Sequence, residues 1–85
     1  MTQREQIREY VTKILRENKD DTDAFTDADS LVLSGRLSSL DVVDLLTYLE
    51  KTFGFEMDPN EFDQARFDTI DSIMSMVEKS APSRT

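Results

Sequence analysis

The protein has 85 residues, of which 38% are hydrophobic and 33% are charged, so it can form one small globular domain but not two. Its net charge of −8 repels the phosphate backbone of nucleic acids, and we expect none as a partner. Histidine and cysteine are absent, which excludes disulfides, thiolate metal sites and the usual general base of an enzyme. No segment resembles a membrane span or a signal peptide, so we expect a cytoplasmic protein. A small chain without histidine is a poor candidate for an enzyme, and we expect a monomer without catalytic activity.

Residues 2–18 have the apolar spacing of an amphipathic helix. Thr2 and Glu5 match a capping box at its start. The apolar stripe recurs at i, i+3, i+4, i+7 and i+8, which predicts one buried face. Its members are Ile7, Tyr10, Val11, Ile14 and Leu15.

Residues 19–37 are rich in Asp, Ser and Thr, which favour turns over helices. Nineteen residues make a long connection for a compact domain. We expect its own apolar residues to anchor it to the core, with a short helical turn near residues 27–31. These anchors are Phe25, Leu31, Val32 and Leu33.

The acidic residues of this loop raise the question of calcium binding. An EF-hand loop needs oxygen ligands at its first, third and fifth positions, glycine at the sixth and glutamate at the twelfth. A register that starts at Asp21 places Phe25 at the fifth position and Val32 at the twelfth, and a register that starts at Asp27 also fails. The sequence therefore predicts a solvated loop and no metal site.

Two further helices and one short helix follow. Residues 39–53 form a second amphipathic helix that ends at Gly54, a typical residue just past a helix. Asp58 and Pro59 are suited to cap and open a short helix that continues to residue 65. The last helix begins near Asp68 or Thr69. The predicted core residues of the two long helices are Val42, Leu45, Leu46, Leu49, Phe53, Ile70, Ile73, Met74 and Val77.

These elements predict an all-α fold, a four-helix bundle with three longer helices, one short helix and a long loop after the first. Residues 1–79 make up the domain. Residues 80–85 are a polar segment with nothing to bury, and we expect a flexible tail.

Two adjacent serines open the second helix, and they allow two interpretations. Ser38 with Asp41 three residues later matches a capping pattern, so both serines could be purely structural. A nucleophilic serine needs a base, and the chain has no histidine to act as one. If Ser39 is functional, another protein must therefore supply the chemistry.

The surface of the second helix contains the other candidate residues. Leu40 lies opposite the apolar stripe, where it is either incidental or an apolar contact within a docking surface. Asp41 and Asp44 share a face, as paired catalytic carboxylates would. No apolar surroundings in the sequence would raise a pKa there, so we expect both to be solvated or to face a partner.

Around Ser39 the sequence resembles the acyl and peptidyl carrier proteins, over roughly residues 5–79. The stretch SSLDVVDLL resembles the family's Asp-Ser-Leu motif, and YLEKTFGFEM resembles its LEEEFGIEI stretch. LVLSGRL is similar to the segment that leads into the family's serine, and FDTIDSIMSMVEK is similar to its last helix. The serine that precedes the motif leucine, Leu40, is Ser39.

The resemblance implies the acyl-carrier fold, with 4′-phosphopantetheine attached to Ser39 by a phosphopantetheinyl transferase. The arm's thiol would hold an acyl or aminoacyl intermediate as a thioester. The other implied partners are a loading ligase and downstream transferases. Four residues would dock on basic partner surfaces, namely Leu40, Asp41, Asp44 and Glu50.

The sequence departs from the family's usual pattern at three positions. Ser38 replaces the acid that commonly precedes the modified serine, and Lys51 and Thr52 stand where fatty-acid carriers often have acids. These departures favour a specialised pathway, with an amino acid or short acyl group as cargo, over bulk fatty-acid synthesis or a polyketide role. The alternative is an unmodified four-helix interaction module, in which Ser38 and Ser39 only cap the helix.

Overall fold

The computed structural model describes residues 2–54, 56–57, 60 and 62–79. Helix α1 spans Gln3–Lys19, α2 spans Ser39–Phe53 and α3 spans Ile70–Lys79, with a short 3₁₀ helix at Gln64–Phe67 before α3. The described part of the chain contains no strand. The predicted all-α fold of three longer helices and one short helix is therefore confirmed.

Helix α1 begins and ends as its sequence dictates. The Thr2 side chain accepts from the Glu5 backbone N–H, and the Glu5 side chain accepts from the Thr2 N–H, which completes the predicted capping box. At the other end, Asp20 has a left-handed backbone with φ of 52°. Aspartate is among the few residues other than glycine that tolerate this conformation.

A single apolar core joins the three long helices. Helix α1 contacts α2 and α3, and the 3₁₀ helix contacts α2 and α3. The predicted stripes face this core, although Tyr10, Leu46 and Phe53 are only partly buried. Tyr10 stacks on Tyr48 of α2, with ring centroids 4.0 Å apart and an interplanar angle of 6°. The buried members of the core are Ile7, Val11, Ile14, Leu15, Phe25, Leu31, Leu37, Val42, Leu45, Leu49, Phe67, Ile70, Ile73, Met74, Met76 and Val77.

The long loop between α1 and α2 is attached to the core, as predicted, but not by all of the expected residues. Phe25 and Leu31 are buried, whereas Leu33 is 79% exposed. The expectation for Leu33 was wrong because the chain turns at residues 32–35, where Asp68 Oδ1 accepts the Val32 and Leu33 N–H groups at 2.9 and 2.8 Å. In place of the helical turn expected near residues 27–31, the structure has a shorter turn at residues 27–28, where the Asp29 N–H donates to the Thr26 carbonyl at 3.2 Å.

Two acids of the loop form ion pairs with arginines. Asp27 binds Arg8 and Arg4 of α1, the latter at 2.6 Å, and Asp21 binds Arg36 at 2.8 Å. The pairs of Asp27 tie the middle of the loop to α1, and the pair of Asp21 with Arg36 ties the two ends of the loop to each other. Among the described residues, no group of three or more acids is arranged to hold a metal ion.

The connection between α2 and α3 is described only in part. Gly54 follows α2 with φ of 72°, and its N–H donates to the Glu50 carbonyl at 2.9 Å, so the predicted helix end is confirmed. Asp58 and Pro59, the predicted start of the short helix, and residues 80–85, the predicted tail, lie outside the described residues. The 3₁₀ helix begins at Gln64 and ends at the fully buried Phe67. In the described ranges, no helix is long and apolar enough to cross a membrane.

Candidate functional site

Ser38 caps helix α2. Its backbone is extended, and its Oγ accepts a hydrogen bond from the Asp41 N–H at 3.2 Å. In return, Asp41 Oδ2 accepts from the Ser38 N–H at 2.9 Å and from the Ser38 hydroxyl at 3.0 Å. The capping pattern predicted for this pair is therefore confirmed.

Asp41 is buried, which contradicts the expectation that it is solvated or faces a partner. The residue is only 4% exposed. Lys19 Nζ lies 3.1 Å from Oδ2, and Asn18 Nδ2 donates to Oδ1 at 3.4 Å. Both of these residues come from the last turn of α1. The sequence of α2 alone could not show that α1 ends against this carboxylate.

The ionised form of Asp41 is favoured despite its burial. Burial alone would raise the pKa of this carboxyl, but hydrogen bonds from Ser38, Lys19 and Asn18 outweigh it and hold the pKa below its usual value. The negative charge of Asp41 is therefore compensated within the domain. The Asp41 carboxylate stabilises the contact between α1 and α2 and does not contribute a free charge to the surface.

Ser39 is exposed at the first position of α2. Because Ser38 caps the helix, the Ser39 hydroxyl has no capping role. Its Oγ accepts a hydrogen bond from Gln64 Nε2 at 2.8 Å. An oxygen that accepts in this way keeps its own proton free to donate elsewhere.

Gln64 was not identified from the sequence. It lies 25 positions after Ser39 and opens the 3₁₀ helix. A single polar residue in a short helix has no periodic signal, so only the packing of the 3₁₀ helix against α2 reveals this contact.

The outer face of α2 combines exposed apolar residues with an acid. Leu40 is 78% exposed, as its position opposite the apolar stripe predicted, and Val43 is 49% exposed. Asp44 is also exposed, one helical turn from Leu40. Val43 was missed, although it follows Leu40 by three residues and so shares its face.

Glu50 differs from Asp44 because the structure already uses its carboxylate. It is half-buried, and its Oε2 accepts the Met57 N–H at 2.9 Å. This bond closes the chain back onto α2 after Gly54. The four residues expected to dock thus separate into exposed Leu40 and Asp44, a half-buried Glu50 and a buried Asp41.

Taken together, these features define a small helical bundle that presents a serine hydroxyl at the start of its second helix. Residues 5–77 match the sequence profile of the family described as "Phosphopantetheine attachment site". The chain therefore belongs to the phosphopantetheine-attachment family of carrier proteins. The predicted family and its covalent cofactor, 4′-phosphopantetheine, are confirmed by this match.

Two relatives show how far the similarity extends. The chain is 36% identical over 76 residues to the D-alanyl carrier protein of Lacticaseibacillus casei (strain BL23). This match covers 88% of this chain and 94% of the relative. It also resembles the solution NMR structure of a holo acyl carrier protein from Nitrosomonas europaea. That structure is 26% identical, with a TM-score of 0.68, and the match covers 93% of this chain and 95% of the other.

The start of α2 fits the phosphate of such an arm. The N-terminus of a helix favours negative charge, and the exposed Ser39 is the first residue of this 15-residue helix. Gln64 supplies a neutral donor at the hydroxyl. The neighbouring acid, Asp41, is buried and paired with Lys19, so its charge opposes a phosphate less than a free carboxylate would.

Proposed function

We propose that Ser39 is the attachment residue and that the chain carries an amino acid, or a short acyl group, between enzymes. The observation that carries this proposal is the division of roles between the two serines. Ser38 is fully engaged in the cap, whereas Ser39 is exposed and, among the described residues, its hydroxyl accepts a hydrogen bond but donates none. The family's motif leucine, Leu40, directly follows Ser39 and supports the same choice.

Attachment is a group transfer that the chain cannot perform alone. The bond between Ser39 Oγ and phosphorus forms, the pyrophosphate bond of coenzyme A breaks, and adenosine 3′,5′-bisphosphate leaves. The hydroxyl proton passes to a base of the phosphopantetheinyl transferase, because this chain has no histidine to take it. The attached arm supplies a terminal thiol that holds the cargo as a thioester. We therefore expect the chain to be a substrate and carrier, not an enzyme, in the cytoplasm where its partners act.

The outer face of α2 is the proposed docking surface for the transferase, the loading ligase and the downstream transferases. Leu40 contributes an exposed apolar contact and Asp44 an exposed charge. With a net charge of −8, the domain attracts basic partners over a distance, and such encounters weaken with salt. Asp41 is withdrawn from this surface by its burial, and Glu50 contributes only in part because of its bond to the Met57 N–H.

Two observations support small cargo. The relative from Lacticaseibacillus casei is a D-alanyl carrier protein, so a D-amino acid loaded by a separate adenylating ligase is our first candidate. The helices bury a continuous apolar core, and the three grooves described on the domain open at its surface among charged side chains. Because the helices would have to separate to admit a long acyl chain into this core, the structure favours cargo that remains outside the bundle.

Intact mass tests the attachment site. Incubation with coenzyme A and a phosphopantetheinyl transferase should add about 340 Da, the mass of the phosphopantetheine group. Ser39→Ala should abolish this gain, while Ser38→Ala, the matched control one residue away, should retain it. A folded wild-type chain that gains no mass would support the unmodified interaction module instead.

A second measurement tests the cargo. The modified chain is incubated with ATP, an adenylating ligase that uses D-alanine, and either D-alanine or L-alanine. We expect a mass gain of one alanyl group with the D-isomer, which hydroxylamine should release because it cleaves thioesters. Loading by a fatty-acyl ligase with no loading by any amino-acid ligase would contradict the proposed cargo and leave the attachment site intact.

A further inference from the structure

The hydrogen bond between Gln64 and Ser39 joins the 3₁₀ helix to the proposed attachment site. Gln64 Nε2 lies 2.8 Å from Ser39 Oγ, across 25 positions of sequence. In the described part of the chain, this is the hydrogen bond that a side chain outside α2 makes to the Ser39 hydroxyl. Any group attached to Ser39 Oγ must therefore form next to the Gln64 amide.

The local structure holds Gln64 in place. Asp63 caps the 3₁₀ helix by accepting the Ala65 N–H at 3.0 Å, and Phe67 at the other end is fully buried. Asp68 then accepts hydrogen bonds from the loop before α2. The amide is thus presented from a capped helical turn whose C-terminal end is anchored in the core.

Attachment of the arm changes which oxygen is the best hydrogen-bond acceptor for the Gln64 amide. A serine hydroxyl oxygen is a good acceptor, but as the bridging oxygen of a phosphodiester it loses much of that capacity. The two non-bridging oxygens, one bond further out, share a negative charge. Hydrogen bonds to charged acceptors are roughly twice as strong as neutral ones, and the amide has two N–H groups to offer.

We propose that Gln64 is a phosphate-binding residue, which donates to the Ser39 hydroxyl before modification and to a non-bridging phosphodiester oxygen afterwards. This inference rests on the proposed attachment at Ser39. It makes the 3₁₀ helix sensitive to the state of the arm. It also restricts the directions in which the arm leaves the surface, because the phosphate is held at a second point.

Nuclear magnetic resonance of the unmodified and modified wild-type chain provides the first readout. Intact mass first establishes that the arm is attached. The side-chain amide of Gln64 should then shift to lower field on modification, as expected for a donor that moves to a charged acceptor. In Ser39→Ala the Gln64 amide has no serine hydroxyl to donate to, so this variant gives the reference position of the amide resonance.

The phosphorus resonance of the arm provides the second readout. Gln64→Ala should move the ³¹P resonance of the modified chain towards that of a phosphopantetheinylated peptide. Gln64→Glu, which removes the donor and adds a negative charge, should move it too. Gln3→Ala and Gln3→Glu are matched controls at an exposed position at the start of α1 and should leave it unchanged.

The two proposals fail in different ways. If the wild-type chain gains the arm but its Gln64 amide does not shift and Gln64→Ala leaves the ³¹P resonance unchanged, this inference is wrong and the attachment site stands. If the folded wild-type chain gains no mass, there is no phosphate at Ser39, and both proposals are wrong.

Discussion

Ser38 and Asp41 hydrogen-bond to each other in both directions at the start of α2, and this pair separates the roles of the two serines. Asp41 Oδ2 accepts from the Ser38 N–H at 2.9 Å, while Ser38 Oγ accepts from the Asp41 N–H at 3.2 Å. The cap is therefore complete without Ser39. An acid at position 38, as in most of the family, would place a second carboxylate beside Asp41, whereas serine can donate to it at 3.0 Å.

Removal of this cap should reduce stability without removing the modification site. Ser38→Ala should lower the free energy of unfolding by about 1 kcal/mol, the usual cost of a lost N-cap. Ser38→Thr, which keeps a capping hydroxyl, is the matched control and should lie much closer to the wild type. Urea unfolding followed by circular dichroism measures both, and equal stabilities of Ser38→Ala and the wild type would contradict the capping role.

Asp68 should be a major contributor to the position of the long loop. Its Oδ1 accepts from Ser30 Oγ, the Val32 N–H and the Leu33 N–H, at 2.8 to 2.9 Å. Asp68→Ala leaves these donors without their acceptor, and we expect a loss of about 1–3 kcal/mol in the free energy of unfolding. Ser30→Ala removes only one donor and should cost less. Chemical denaturation tests the order of the two, and a larger loss for Ser30→Ala would contradict this role.

Acidification should remove the stabilisation of the fold that the ionised Asp68 carboxylate provides. Burial tends to raise the pKa of this carboxyl, but the hydrogen bonds from Leu33, Ser30 and Val32 outweigh it, so the folded pKa is below the usual value. As the pH falls below about 4, the unfolded chain takes up this proton first, and the stabilisation is lost on passing through the lower folded pKa.

Comparison of the wild type with Asp68→Asn isolates this effect from the other carboxylates. The difference in free energy of unfolding should be fully present near neutral pH and should shrink as the pH falls below about 4 towards the lowered folded pKa. Asp44→Asn removes the same charge from the exposed face of α2 and controls for net charge. A difference that grows on acidification would show that folding raises the pKa of Asp68 instead of lowering it.

Charge reversal at Asp44 should affect encounters with partners but not the fold. Asp44→Lys changes an exposed position and should slow modification and loading, with kcat/KM reduced about tenfold at low salt and less at high salt. Glu78→Lys, which makes the same change of charge at an exposed position in the last turn of α3, is the matched control. Initial rates across a salt series, together with unfolding curves, provide the measurement. Identical rates for Asp44→Lys and the wild type at every salt concentration would count against docking at this face.

Local sequence patterns were sufficient wherever neighbours along the chain decide the structure. The capping boxes at Thr2 and Ser38 and the helix end at Gly54 involve residues within four positions of each other, and all three were predicted. The exposure of Leu40 followed from helical periodicity in the same way. The motif around Ser39, together with the order of the helices along the chain, was sufficient to identify the family.

The errors arose where distant segments meet. Leu33 was expected in the core, but two backbone hydrogen bonds to Asp68 turn the chain there and leave its side chain exposed. Asp41 was expected at the surface, but the last turn of α1 brings Lys19 against it. Neither Asp68 nor Lys19 has a pattern that marks it as a partner of these residues.

The sequence by itself determined the helices, their apolar faces and the caps, and it indicated Ser39 as the serine that we propose carries the arm, because each depends on short-range spacing or on a contiguous motif. Only the tertiary structure decided which charges are free. It withdrew Asp41 into an ion pair, engaged Glu50 with the Met57 N–H, and brought Gln64 to Ser39. The physical reason is that the solvation and hydrogen bonding of a polar side chain depend on what packs against it, and helix packing joins residues that are far apart in the chain.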